Sequence, residues 1–570
     1  FIPGVKPGAL YKYEIKVKGG NTILKADPYG GQSEMPPATA SVVPDETAYA
    51  WQDDKWMKAR KKYAGKDVPL SIYEVDPFTW KAPDGKIPED YKSLGRELAA
   101  YASKEGYTHV ELTPVMEYLD EKSRGYTTFS YYSPSRRLGK RKDFMEMIST
   151  LHEAGVGVIL DWTPAQFPGT SAGLALFDGT CLYEPDWIQR KYHAMWGTYL
   201  YKYGSPMVKN FLIANAWYWI REFHVDGLRF DDVDAMLYLD YGRKDGEWLP
   251  NMYGTNENLD AIEFLKHLNS IVKKKVPEVL LIAQEDGLWP DLTDSVENDH
   301  LGFDYKWSGG WTKDFLDYLS VDPQQRAGHH DELTLSMLYA YSEEYILTLA
   351  SRDVGTYQEF LDKLPGSQQE KEATLRVAYG YLMTHPGKKM QALDADAPAP
   401  VQEYIKALNE LYLGQPALYQ KDDETEGFEW VQLMKAKEHI IAFLRKTDKP
   451  EDTLLVICNF SPETYENYSV GVPYPGKYKE ILNSDAAKFG GTGAVNPRIK
   501  MSKKVECDEK ENSITVKVPP LGISVFSYSQ KVEKMTDNQG AKKAQRKRKT
   551  TSSKAKKSLK EEIEKKMQEE

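Results

Sequence analysis

Residues 280–290 read LLIAQEDGLWP, an apolar run that surfaces in Gln284, Glu285 and Asp286. A short, wholly apolar run with a polar end is the mark of a parallel strand covered on both faces. The same phrase recurs as SIYEV (71–75), HVELTPV (109–115), GVILDW (157–162), GLRFDDV (227–233), FDYKW (303–307), YILTLAS (345–351) and KKMQALD (388–394). Each run is separated from the next by enough chain for a helix. This alternation predicts the α/β class and an eight-stranded (β/α)8 TIM barrel, in which functional groups gather at the C-terminal strand ends. The acids and amides sit at those ends. Periodicity alone leaves a doubly wound sheet open, since it shares the pattern.

Outward from the barrel, residues 9–30, ALYKYEIKVKGGNTILKADPYG, alternate like a hairpin around Gly-Gly-Asn, the remnant of a small β-sandwich. After about Ala417 come EHIIAFLRK, DTLLVICNF, YKEILNS, SITVKV and GISVFSYS, short strands with turn signals between them, which predict a second β domain. The expected domains are 1–48 (N-terminal β-sandwich remnant), 49–416 (barrel), 417–530 (antiparallel β-sandwich) and 531–570 (tail). The tail is Lys/Arg-rich from Lys542 to Lys560 and lacks apolar periodicity until SLKEEIEKKM, so it reads as disordered with a short charged helix at its end.

Composition is that of a globular chain, 41% hydrophobic and 28% charged. No apolar run approaches the ~20 residues that cross a bilayer, so no membrane is expected as a partner. Net charge is −11, yet residues 541–570 carry twelve Lys/Arg against five Glu, a net +7 that leaves −18 on the rest. An acidic body suits a neutral ligand and argues against nucleic acid, the basic tail apart. Three cysteines, Cys181, Cys458 and Cys507, form neither a disulfide framework nor a metal spacing and fit a cytoplasmic setting. No cofactor or metal is expected. The chain opens on Phe1 rather than Met, which leaves a preceding segment open.

Several stretches together resemble the bacterial 1,4-α-glucan (glycogen) branching enzymes of the α-amylase superfamily. They are GYTHVELTPVMEY, DWTPAQFP, EFHVDGLRFDDVDAMLYLDY, GRKDGEWLPNMYG, NENLDAIEFLK, LGFDYKWSGGW and THPGKK, with LNSDAAKFGGTG in the last β domain. The resemblance spans Phe1 to about Ser529. It implies retaining transfer of an α-1,4 chain to a 6-hydroxyl through a glycosyl-enzyme ester, chemistry that needs two carboxyl groups, with a third acid steadying the cationic transition state.

Carried over position by position, the resemblance implies Asp231 as nucleophile, with Arg229 holding it ionised, since a neighbouring cation lowers a carboxylate's pKa. Asp161 is kept, and so is Tyr126, the ring that would stack on the −1 sugar. The family histidine that donates to a substrate hydroxyl becomes Gln166, a neutral donor still. In SRGY, Arg124 replaces the family Trp. The proton-donor position falls on Gln284, which has no proton to give, and general acid catalysis is worth roughly 10²–10⁴-fold. In LASRDV the family's His and transition-state Asp become Ser351 and Arg352. A cation ~4 Å from an oxocarbenium ion, at an effective dielectric of ~20, repels it by about 4 kcal/mol. Glu285 and Asp353 would substitute only after a one-residue slip, because strand side chains alternate faces. The loop that follows strand eight in the family is also absent.

The expectation is a catalytically silent paralogue, a pseudoenzyme that binds α-glucan (glycogen or a maltooligosaccharide), with an active branching enzyme as a candidate partner and Arg352 ion-paired to Asp231 in the former sugar subsite. Two alternatives stay open: a working α-glucan branching transferase using shifted Glu285 and Asp353, and a scaffold protein that has lost sugar binding.

Overall fold

The computed structural model describes residues 3–45, 47–435 and 437–530. The reading of the basic tail concerns 531–570, outside the described residues. Eight parallel strands close into a barrel: Ser71–Val75, His109–Leu112, Gly157–Trp162, Gly227–Phe230, Leu280–Ala283, Tyr305–Trp307, Tyr345–Leu349 and Lys388–Gln391, the last pairing with the first. Closure removes the doubly wound alternative. The strands are short and apolar because both faces are covered. Ile72, Ile159, Leu280, Ile282, Tyr305, Trp307, Ile346 and Met390 fill the inside. The alternate residues, among them Leu112, Leu160, Leu228 and Leu281, face the helices.

Local chemistry starts and stops those helices. Asp90 opens Tyr91–Glu105 by accepting from the Ser93 N–H at 2.7 Å, while Ser93 Oγ accepts from the Asp90 N–H at 3.1 Å. Gly106 ends it at φ 83, a conformation that disfavours any side chain. At the N-terminal end of the barrel, buried His152 lies 2.9 Å from both Asp53 and Asp226. Trp56 Nε1 donates to Asp226 at 2.9 Å, and Arg60 sits 3.3 Å away. Burial works against a charge on His152, but Asp226 and Asp53 outweigh it and raise its pKa. Burial likewise opposes a charge on Asp226, and His152 and Arg60 still hold that carboxyl down at about 2.

Ahead of the barrel, Tyr13–Lys16 pairs with Thr22–Lys25 around Gly19–Gly20–Asn21, and Leu10–Tyr11 pairs with Ser41–Val42. The hairpin is pinned to the barrel loops by Lys25, whose ammonium donates to the carbonyls of Gly173 (3.2 Å) and Ala175 (2.6 Å). After the barrel, an antiparallel sheet runs in the order Phe428–Gln432, Ile440–Arg445, Leu454–Asn459, Gly522–Gln530, Gly476–Asn483, Lys500–Met501. A second pair, Tyr465–Val472 with Asn512–Val518, packs on it over Leu455, Ile457, Val470, Ile514 and Phe526. The opposite face of the sheet meets helix Gln368–Thr384 at Gly380. A Cβ there would lie 2.4 Å from Ile523 Cγ2 and 2.6 Å from Tyr404 Oη, so only glycine fits. Among the described residues no helix is long and apolar enough to cross a membrane.

Candidate active site

Strand four delivers the central group. Its alternation turns Arg229 inward and Phe230 outward, where Phe230 meets Trp162 and Phe303 edge-on at 4.9 and 5.0 Å. The next residue, Asp231, returns to the inner face. Arg229 is fully enclosed and makes four donations: Nε to Asp161 Oδ1 at 2.7 Å, Nη1 to Asp231 Oδ1 at 2.9 Å, and Nη2 both to Tyr126 Oη at 3.2 Å and to Asp161 Oδ2. Tyr126 donates in turn to Asp161 Oδ2 at 2.8 Å. Tyr126, Asp161, Arg229 and Asp231 thus form one connected group. Beneath it, the buried Glu111 lies against Asp161 and 3.5 Å from Arg229. Burial, and after it the charge of nearby Asp161, raise its pKa well above the usual carboxylate range, against the pull of Arg229.

Arg229, two residues before Asp231, is expected to lower its pKa. In the structure burial is the larger effect, and with the charges of Asp232 and Asp161 it pushes Asp231 up to about 6 despite Arg229. At neutral pH Asp231 is still mainly a carboxylate.

Strand five ends with Gln284 on the inner face. Its N–H continues the ladder to the Phe230 carbonyl at 3.0 Å. Both ends of its amide are engaged: Oε1 accepts from the Asp232 N–H, and Nε2 donates to Asp286 Oδ2, each at 2.9 Å. Asp232 adopts a left-handed backbone (φ 59), and its carboxylate accepts from His193 Nε2 at 2.6 Å. Glu285, wholly buried, turns the other way. It forms an ion pair with Lys306 and shares a hydrogen bond with Asp234, which also accepts from the N–H groups of Asp286 (2.9 Å) and Gly287 (3.1 Å). Burial and the bond to Glu285 raise the Asp234 pKa, so Asp234 keeps its proton at neutral pH. A Cβ on Gly287 would come within 2.4 Å of Glu285 Oε1, which is why the turn carries glycine.

Strand seven leads into a single helical turn, Ser351–Val354. The Ser351 N–H donates to Glu74 Oε2 at 2.6 Å, and burial raises the pKa of Glu74. Arg352 does not pair with Asp231, contrary to the sequence expectation. Its guanidinium lies 3.4 Å from Asp286 and 3.5 Å from Asp353. The reason is occupancy: Arg229 already holds Asp231 from below, and the buried Trp307 ring carries both guanidiniums, 4.4 Å (Arg229) and 5.1 Å (Arg352) from its centroid. Burial raises the Asp353 pKa while Arg352 pulls it down, and Asp353 Oδ2 is buried without a partner.

Gln166 lies in the short pair Gln166–Phe167 with Tyr199–Leu200, and its Oε1 accepts from Thr198 Oγ1. Arg124 turns away to Asp76 at 2.7 Å. Beyond strand eight, residues 392–398 run directly into helix Ala399–Gly414. They wall a cavity of about 730 Å³ with Glu74, Trp80, Arg124, Ser351 and Tyr357. The sequence reading missed Asp232, Asp234, His193, Lys306 and Trp307. The doubled acid in GLRFDD was the one visible sign of the first; the others reach the site across loops or from neighbouring strands.

A closed parallel barrel with a carboxylate and an arginine two residues apart at the end of strand four, followed by an antiparallel β domain, defines an α-amylase-type architecture. The alpha amylase C-terminal all-beta domain matches residues 430–529. Solved structures share the fold at low identity. A pullulanase from Bacillus acidopullulyticus superposes with a TM-score of 0.63 at 15% identity, over 91% of this chain and 68% of that one. An alpha-amylase from Geobacillus thermoleovorans gives 0.59 at 16% identity, over 82% and 99%. Curated relatives narrow the class. The 1,4-alpha-glucan branching enzyme GlgB of Rubrobacter xylanophilus is 42% identical over 91% of this chain and 75% of its own length. That of Butyrivibrio fibrisolvens is 41% identical over 94% and 88%. The chain belongs to the GlgB 1,4-alpha-glucan branching enzyme family.

Proposed function

We propose that this family member is a cytoplasmic protein that binds α-1,4-glucan without cutting it, acting beside an active branching enzyme. The observation that carries the reading is the amide at the end of strand five. Gln284 occupies the inward position, its Oε1 taken by the Asp232 N–H and its Nε2 by Asp286. Retaining glycosyl transfer needs a second carboxyl about 5–5.5 Å from the nucleophile. Glu285 is engaged with Lys306 and Asp234, and Asp353 with Arg352. The cation Arg352, where the family carries an acid, opposes the developing positive charge. The retained Tyr126, Asp161, Arg229 and Asp231 stay in one hydrogen-bonded group, of which Tyr126 and Asp231 are the partly exposed members.

The test is amylose branching followed by the iodine spectrum, with Asp231→Ala as the blank. The expected result is no time-dependent blue shift above the blank. A shift above it returns the chain to the working transferases, with Glu285→Gln and Asp353→Asn then identifying the acid.

A further inference from the structure

The three cysteines sit in three different settings. Cys458 lies in strand Leu454–Asn459 with no exposure. Cys507 donates its S–H to Asp508 Oδ2 at 3.3 Å, and burial, together with that carboxylate, pushes its thiol up to about 11. Cys181 differs from both. It is partly exposed on the loop after strand three, and its sulfur accepts from the Lys191 ammonium at 3.0 Å. Reactive thiols are partly open to solvent and lie beside a cation, while buried ones are inert. Of the three, Cys181 alone meets both conditions.

The loop itself builds the pair. Asp178 Oδ1 accepts from the Thr180 N–H (2.9 Å) and Oγ1 (2.6 Å), a tight turn that presents Cys181. Further along, the helical turn Ile188–Lys191 brings the ammonium back to the sulfur. Between them, buried Tyr183 anchors the segment, its carbonyl accepting from the Lys202 N–H at 2.7 Å. The bond to sulfur is the largest influence on Lys191 and raises its pKa; burial opposes it and the charge of Glu184 adds to it. Glu184 is wholly buried. Its Oε1 accepts from the Leu176 N–H at 2.9 Å, while Oε2 has no hydrogen-bond partner among the described residues. A thiol, an amine and a carboxylate thus share one place outside the Asp231 cleft.

We propose that Cys181 and Lys191 are a redox-sensitive pair, which a hydroperoxide converts into a covalent sulfenamide link. In the first step the sulfur attacks the outer peroxide oxygen. An S–O bond forms, the O–O bond breaks, and the thiol's proton leaves with the remaining oxygen as water or an alcohol. The cysteine is oxidised to a sulfenic acid as the peroxide is reduced. In the second step the Lys191 nitrogen displaces the sulfur-bound oxygen. An S–N bond forms and the S–O bond breaks; one ammonium proton leaves with the departing hydroxide as water, and another passes to solvent. Sulfenic acids condense with a nearby nitrogen in this way, reversibly. The 3.0 Å contact already sets nitrogen against sulfur. The link would close the segment that carries Trp187, 68% exposed, and it stands independently of the glucan-binding reading.

Hydrogen peroxide added in stoichiometric amount to the full chain tests it, read by peptide mapping in a mass spectrometer with and without dithiothreitol. A parallel arm contains dimedone to trap sulfenic acid. The chains compared are the parent, Cys181→Ser, Cys507→Ser and Lys191→Arg, which keeps the cation beside the sulfur. Cys181 and Lys191 are both partly exposed, so neither exchange disturbs the core. The parent is expected to give a linked Cys181–Lys191 product lighter by two hydrogens than the unlinked residues, and dithiothreitol to undo it. Cys507→Ser gives the same product and Cys181→Ser loses it. Lys191→Arg loses it too, and Cys181 then accumulates as the dimedone adduct. Oxidation that falls first on Cys507 or Cys458 overturns the choice of thiol. Sulfenic acid at Cys181 of the parent with no link, or a disulfide between two chains, overturns the role of Lys191. A parent that peroxide leaves unchanged overturns the whole proposal.

Discussion

An α-maltosyl fluoride carries a leaving group that departs without being protonated, and so separates the effects the proposal assigns to Gln284 and to Arg352. Attack on it requires Asp231, held by Arg229 at 2.9 Å, and is opposed by Arg352. A full charge about 4–5 Å from the anomeric carbon costs about 3–4 kcal/mol at an effective dielectric of ~20. The Arg352 side chain is 40% exposed, however, and Asp286 at 3.4 Å and Asp353 at 3.5 Å cancel most of its field. What remains is on the order of 1.4 kcal/mol, a factor of about ten in rate. Arg352→Ala is therefore expected to speed formation of a maltosyl ester on Asp231 roughly tenfold. Gln284→Glu should leave that rate within about twofold, because no proton is needed. Intact-protein mass spectrometry after an acid quench reads the ester, peptic mapping assigns it, and Asp231→Ala is the blank. An Arg352→Ala chain no faster than the parent, or an ester that forms only with Gln284→Glu, refutes the division between the two residues.

With amylose the proposed reading makes the proton donor limiting, so Gln284→Glu combined with Arg352→Asp and Asp286→Asn should raise branching by on the order of 10²-fold over the parent, read by iodine spectra and lost on adding Asp231→Ala. Because burial holds Asp231 at about 6, ester formation from the fluoride should rise through that pH and level off above it; a flat profile from pH 5 to 8 contradicts the burial argument. His152 has a raised folded pKa, so the stability it contributes is complete below its unfolded value of about 6.5 and is lost as pH climbs through the folded value. His152→Gln should cost about 3 kcal/mol in urea unfolding at pH 6 and flatten that alkaline decline. Gly380→Ala should destabilise the contact between the barrel and the β domain by about 1–3 kcal/mol, its Cβ falling 2.4 Å from Ile523; an unchanged urea midpoint would show that the sheet can shift.

The barrel was legible because its strands are covered on both faces and so appear as bare apolar runs. SIYEV and GVILDW coincide with Ser71–Val75 and Gly157–Trp162. FDYKW starts two residues ahead of Tyr305–Trp307, and the remaining runs extend past their strands into the polar ends, where the ladder stops and the loops begin, as in GLRFDDV beyond Phe230. Alternation was enough to send Gln284 inward and Glu285 outward once the register was known. Two features lay beyond that logic. The direction of Arg352 depends on a one-turn helix and on a Trp307 ring supplied by a different strand. The pKa of Asp231 depends on how deeply it is enclosed, and the sequence displays its neighbour Arg229 but not its desolvation.

The amide of Gln284 now holds two other parts in position: the left-handed peptide at Asp232 and the carboxylate of Asp286. A lone return to glutamate would set two like charges at hydrogen-bonding range, while Asp286 alone would lose nothing by staying. Asp286 thus opposes an acid at position 284, and Gln284→Glu is favoured only where Asp286 changes with it. On the proposed reading, the amide at this strand end is kept in place by the bonds that have formed around it.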